Sequence, residues 1–173
     1  MLNPLFAAQI PVVVLENTIT LMLRDEFNKF ARPLNGQVLT LAELLKQPVA
    51  NGTVLKDLST FRRVHTAKYC LMPHCTEQAI LPSEAAAWQA IFTSLGAELE
   101  VKNLGCCGMA GAYGYLKEQQ QNSTHLFMLH WAVALEQPVP LATGFSCRAQ
   151  VEKQSAKRIL HPIELINQWL ESN

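Results

Sequence analysis

One phrase recurs along this chain and restricts what it can fold into: a short apolar run, a tight turn, then a helix with apolar periodicity. Pro11-Val-Val-Val-Leu15 has the β-branched character of a buried parallel strand. It passes through Glu16-Asn17-Thr18 into a predicted helix with Ile19, Leu23, Phe27 and Phe30 on one face. The phrase returns at 67–72 with the turn Pro73-His74-Cys75, and at 97–101 with the turn Gly105-Cys106-Cys107-Gly108 and a helix from Met109 onward. It returns again at 139–142 with the turn Thr143-Gly-Phe-Ser-Cys147 and a helix from Arg148. Thr40-Leu-Ala-Glu43 has the pattern of a capping box, and Pro48 and Asn51-Gly52 punctuate the stretch after it. Further helices are predicted to open at Pro82-Ser83, at Ser123-Thr124 and at Pro162. Strands alternating with helices imply an α/β fold: a mainly parallel sheet with helices on both faces. Right-handed crossovers then place the loops at the C-terminal ends of the strands along one edge, where such sheets bind ligands.

Four of the five cysteines, Cys75, Cys106, Cys107 and Cys147, fall in those loops. Far apart in sequence, they are expected to meet in space. Four thiolates are the ligand count for tetrahedral zinc or a simple iron–sulfur cluster. Each is expected near a helix N-terminus, where partial positive charge favours the thiolate. Gly105, Gly108 and Gly111 would let backbone approach a bulky inorganic centre and point amides at its sulfurs. The adjacent pair Cys106-Cys107 suits a cluster better than one zinc ion, because neighbouring side chains diverge. Core packing is the competing explanation, since free cysteine buries readily as a small hydrophobe. Cys70, inside a strand, is expected to do just that.

Other candidates are weaker. His74 is a possible outer donor or alternative ligand, Gly108 a close backbone approach, and Arg148 and Gln150 possible contacts to a cluster or anion, although a solvated helix start is the simpler account for the last two. His125 and His130 are expected to be structural, His161 a helix cap, and Trp88, Trp131 and Trp169 core. Arg24-Asp25-Glu26 is expected to be a solvated charged face. A phosphate-binding glycine loop is a rival for residues 105–111, but the spacing is not G-x-G-x-x-G. A thiol redox role for Cys106-Cys107 is another rival, although a disulfide between adjacent residues strains the short ring.

The 173 residues fit one domain with 49% hydrophobic and 16% charged residues and zero net charge, so neither nucleic acid nor an anionic membrane is an expected partner. No apolar run is long enough for a spanning helix, and the apolar start lacks a signal peptide's basic region. A cytoplasmic location is expected, where clustered cysteines suggest metal or redox sites before disulfides.

The segments PHCTEQA (73–79), GCCGMAGAYG (105–114), ATGFSCRAQ (142–150) and HPIELI (161–166), with VVVLENTITLMLRDEF (12–27), resemble the cysteine-rich CCG domain. That domain occurs in a cysteine-rich subunit of heterodisulfide reductase and in the iron–sulfur subunit of glycolate oxidase. The resemblance is closer to the C-terminal part of FAD-linked D-2-hydroxyacid dehydrogenases with an iron–sulfur section, of the D-2-hydroxyglutarate or D-lactate type. It implies that residues 1–173 form a single CCG-type domain from the end of a larger oxidoreductase, with 1–66 the remnant of a preceding repeat. It implies a 4Fe-4S cluster on Cys75, Cys106, Cys107 and Cys147 for electron transfer, with FAD held in a partner domain or subunit. The sequence departs from the pattern at Gly144, where the last cysteine pair would begin, and at Ile19, where several relatives carry cysteine. One four-cysteine set remains, and structural zinc without catalysis stays the alternative.

Overall fold

The structure is a computed structural model and describes residues 2–31, 33–49, 52, 53, 58, 60 and 65–172. Asn51, half of the predicted 51–52 turn, lies outside them. The expected α/β architecture is present, but its parallel strands form two sheets rather than one. The first pairs β1 (Val12–Val14) with β2 (Val38–Thr40), and the second has the order β6-β5-β7, with β5 (Lys68–Met72) between β6 (Glu98–Val101) and β7 (Val139–Ala142). A short antiparallel pair, β3 (Pro48–Val49) and β4 (Gly52–Thr53), lies between them in sequence, and a short helix, α1 (Asn3–Ala7), precedes β1.

The strand period of two distributes the core to the two faces of the second sheet. Tyr69 and Leu71 of β5 and Leu141 of β7 join one apolar cluster. Trp88, Ile91 and Phe92 of α6 (Ser83–Ser94) and Leu165 and Ile166 of α9 (Pro162–Glu171) complete it. Ala42 and Leu45 of α4 (Leu41–Lys46) pack into the same cluster, which ties the first sheet's helix to the second sheet. Met72 and Ala142 face the other way. They meet Phe127 of α7 (Gln120–His130), Trp131 just beyond it, and Val151 of α8 (Phe145–Ser155). Both faces are therefore covered, and each fully buried Leu, Ile or Phe contributes about 2 kcal/mol.

The capping signals are realised as expected. Thr40 Oγ1 accepts from Glu43 N–H at 3.1 Å and Glu43 Oε2 accepts from Thr40 N–H at 2.8 Å, while His161 and Glu164 make the same reciprocal box ahead of α9.

Three expectations fail for identifiable reasons. The predicted helix after β1 is broken at Asp25 into α2 (Asn17–Arg24) and α3 (Glu26–Phe30), and its apolar face points outward, with Phe30 86% exposed. The buried residues of α2 are Asn17 and Thr20, because this helix packs its polar side on buried carboxylates. Arg24 is not merely solvated: its Nε donates to Val38 O at 2.8 Å and its Nη1 to Glu43 Oε1 at 3.0 Å. No regular helix starts at Met109. Gly108, Ala110 and Gly111 adopt positive φ, and the chain makes two single 3₁₀ turns before α7 begins at Gln120, three residues ahead of Ser123. Among the described residues no helix is long and apolar enough to cross a membrane.

Candidate metal centre

The three thiol loops leave the C-terminal ends of adjacent parallel strands, which is why distant cysteines converge. Cys75 opens α5 (Cys75–Ile80) directly after His74, whose Nδ1 accepts from Thr76 N–H at 3.2 Å. Cys147 lies in the first turn of α8. Cys106 and Cys107 sit in irregular backbone instead of at a helix start, so the expected dipole is replaced by individual amides. Gly108 N–H donates to Cys106 Sγ at 3.3 Å, and the Met109 and Ala110 N–H groups bond Cys107. Gly108 has φ +88°, and a Cβ there would lie 2.3 Å from the Ser123 carbonyl oxygen. Only glycine fits this turn against α7.

The thiols interact across the loops, with Cys75 acting on Cys147 as well as on Cys106. Cys106 faces Cys75, and Cys107 faces Cys147. The hydrogen bond from the Cys147 thiol, aided by the loop amides and opposed by burial, holds Cys107 down at about 7. The same contact and burial push Cys147 well up. This pair is suited to carry one proton at neutral pH, with the thiolate on Cys107. Burial raises Cys106. Cys107 and Cys147 also pack into the second apolar cluster, and Cys70 is core, as expected. Among the described residues no three His, Cys, Asp or Glu side chains converge tightly enough to form a ready-made set of ion ligands.

Cys75, Cys106 and Cys107 open on a cavity of about 480 Å³ that Glu16, Ile19, His74 and Phe145 help to line. Gly144 is crowded by the site itself: a Cβ there would lie 2.5 Å from His74 Cδ2 and 3.0 Å from Cys147 Sγ. Because Nδ1 of His74 is an acceptor, its proton sits on Nε2, 3.5 Å from Ser146 Oγ, which makes the ring a donor toward the cavity. Burial lowers its pKa.

The remaining candidates have partners within the fold. Arg148 Nη1 donates to the Ala142 and Thr143 carbonyls at 3.1 and 2.8 Å, closing the end of β7, and Gln150 is buried against Ser123. His130 packs over Gly105, while Trp131 Nε1 holds the Gly105 carbonyl at 3.0 Å. Gln78 Nε2 bonds the carbonyls of Pro73 and Leu104, fastening the Cys75 helix to the Cys106 loop.

Sequence reasoning missed Glu77, which lies 1% exposed beside the Cys75 turn. Its Oε2 accepts from Thr143 Oγ1 at 2.7 Å and from Asn17 Nδ2 at 2.9 Å. Burial raises its pKa to about 7 against those two hydrogen bonds. Nothing local marks Glu77 as buried: its position in the first turn of a short helix is where solvated acids are ordinary.

These features define a class: a parallel α/β unit that gathers cysteines at its strand ends. No protein-family model matches the chain. It is similar to D-2-hydroxyglutarate dehydrogenase of Haemophilus influenzae, 34% identical over 98% of this chain and 17% of that protein, and to the Escherichia coli K12 enzyme of the same name, 32% identical over 95% and 16%. One subunit of the anaerobic glycerol-3-phosphate dehydrogenase of Escherichia coli K12 is 28% identical over 93% of this chain and 41% of its own length. The chain thus spans about a sixth of the length of the D-2-hydroxyglutarate dehydrogenases it matches.

Proposed function

We propose that this chain is the metal-binding, electron-transfer part of an FAD-linked oxidoreductase acting on a 2-hydroxy acid, with Cys75, Cys106, Cys107 and Cys147 as ligands of an iron–sulfur cluster of the 4Fe-4S type. The observation that carries this reading is the meeting of four thiols from three successive strand-end loops, three of them opening on one cavity and the fourth, Cys147, bonded to Cys107. The similarity to D-2-hydroxyglutarate dehydrogenases supports the substrate class, and the resemblance of the cysteine segments to FAD-linked dehydrogenases supports the flavin. In this reading the flavin is held by another domain or subunit and residues 1–173 are the C-terminal part of the larger protein, which the chain's share of about a sixth of its relatives' length supports. The apolar side chains left exposed along α2 and α3, Ile19, Met22, Phe27 and Phe30, suit a chain that packs against such a body.

The donor set fits the group. Thiolates are the usual ligands of iron–sulfur clusters, and Cys107 sheds its proton near neutrality. Loop amides already point at the Cys106 and Cys107 sulfurs, the arrangement that tunes such centres. A bound cluster would accept and pass on single electrons. The chain's own residues would ligate it, donate N–H bonds to its sulfurs and, through Ile19 and Phe145, present an apolar wall.

Structural zinc is the second reading. A tetrahedral ion with Zn–S near 2.3 Å holds all four sulfurs within roughly 4 Å of one another. The adjacent pair Cys106-Cys107 tells against it, because neighbouring side chains diverge and suit separate edges of a polynuclear centre better.

Reconstitution of the chain with iron and sulfide under anaerobic conditions tests the reading. About four irons per chain with a thiolate-to-iron visible band is expected, lost in Cys107→Ser. One tightly held zinc instead would establish the second reading. Retention of neither metal would leave a packed α/β body, and both readings would be abandoned.

A further inference from the structure

We infer that a buried hydrogen-bond brace running from Asn17 through Glu77 to Thr143 sets the position of the Cys75 loop against the Cys147 loop, which makes the cysteine-free β1–α2 turn a positioning element of the site. The inference rests on the metal-centre reading.

Three distant segments meet at Glu77 Oε2. Asn17 Nδ2 comes from the β1–α2 turn at 2.9 Å, and Thr143 Oγ1 comes from the end of β7 at 2.7 Å. The Thr143 hydroxyl is used twice: it donates to Glu77 and accepts from the His74 N–H at 3.0 Å, one residue before Cys75. A single side chain therefore joins the loop of Cys75 to the loop of Cys147. Asn17 Nδ2 also reaches Glu84 Oε1 at 3.3 Å, and Glu84 Oε2 accepts from Thr40 Oγ1 at 3.0 Å, so the first sheet is anchored at two points. Beside it, Glu16 Oε2 accepts from Phe145 N–H at 2.7 Å. This carboxylate caps α8, which has no side-chain cap of its own, across 129 residues of sequence.

Bonds of this kind specify position more than they stabilise. A carboxylate buried among an amide and a hydroxyl gains little over an apolar filler of the same volume, but it fixes where each partner must stand.

The test uses Thr143→Val, which keeps the volume and removes both bonds, with Thr143→Ser as rescue. Anaerobic titration with Co²⁺ alone reads the thiolate-to-cobalt absorption, and amide hydrogen exchange reads residues 74–78 and 144–148 without metal. About tenfold weaker Co²⁺ binding is expected in Thr143→Val, the effect typical of removing an outer partner of a metal ligand. Exchange should be faster in both loops, and Thr143→Ser should restore both signals. A Thr143→Val protein that binds Co²⁺ and exchanges like wild type would overturn the inference. If wild type itself binds no Co²⁺, the metal reading fails. Exchange alone then decides the brace: unchanged rates overturn it, and a joint rise in both loops sustains it. Should Thr143→Val fail to fold, Asn17→Ala removes the β1–α2 turn's end of the brace without touching either thiol loop. Loss of at least half the Co²⁺ affinity supports the turn's role, and unchanged affinity overturns it.

Discussion

The β1–β2 pair and the β6-β5-β7 sheet are built from the same local phrase, and they put it to opposite uses. In the second sheet β5 is buried along four of its five residues, and its turn ends in a thiol. In the first, β1 is only half-buried, and its turn carries Glu16 and Asn17, which reach into the second region's loops. Parallel topology brings every such turn to the same place, and the side chain in the turn decides whether it serves as ligand or as brace. The second region holds the core, and the first leans on it through α4 and through buried carboxylates.

The largest expected effect separates the two regions by stability. Trp88, 1% exposed in the cluster under the second sheet, should cost about 4 kcal/mol on truncation to alanine, measured by denaturant unfolding. Val13→Ala, in the half-buried β1, should cost about 1 kcal/mol or less. Equal costs would mean that the two sheets share one core, and the contrast between them would fail.

Within the second region the glycines of the Cys106–Cys107 loop sharpen the picture. Gly108→Ala combines a positive φ with a Cβ driven onto the Ser123 carbonyl and should cost about 3 kcal/mol. Gly111→Ala has φ +66° but nothing within 4 Å of its Cβ, and should cost about 1 kcal/mol. Thermal melts of the two variants check the difference. Similar losses would show that backbone conformation, not the fit against α7, makes this loop rigid.

The two regions each own a capping box, and only one holds a group whose charge in the unfolded chain changes near neutrality. Burial and the Arg148 charge depress His161 to about 3 from an ordinary value near 6.5. The folded state therefore binds fewer protons than the unfolded chain. The stabilisation is fully present above pH 6.5 and is lost as pH falls toward 3, with about 2 kcal/mol gone by pH 5. His161→Asn, which can still cap, should flatten that slope. The Thr40–Glu43 box should be indifferent from pH 6.5 to about pH 5 and weaken only below it, because, against burial, hydrogen bonds from Arg24 and Thr40 hold the Glu43 carboxyl below its ordinary value; pH-dependent unfolding of the wild type and of His161→Asn would show it.

Much of this was legible in the sequence because it is local. The capping box at Thr40, the helix cap at His161, the inward faces of α6 and α9, and the placing of thiols in strand-end loops follow from spacing and turn chemistry. What was illegible depends on partners far away. Ile19, Leu23, Phe27 and Phe30 form a good apolar stripe, yet α2 buries Asn17 and Thr20, because the surface offered to it is the carboxylates of Glu77 and Glu84. The Met109 helix failed for a backbone reason: successive positive-φ residues at 108, 110 and 111 stop a right-handed turn, and the alanine at 110 gives no warning.

The smallest expected effect probes how the first region holds itself together. Arg24 ties α2 to β2 through the Val38 carbonyl and to α4 through Glu43, with both charged side chains about a third exposed. Solvent screens such a pair, and Arg24→Met keeps much of the packing, so a loss of only about 1 kcal/mol is expected. Its location matters more than its size. Amide exchange should quicken at 12–14 and 38–40 and stay unchanged at 68–72 if the first sheet opens as its own unit. Faster exchange in β5 as well would mean that the two sheets open together, and the brace at Glu77 would then couple their stabilities as well as their loops.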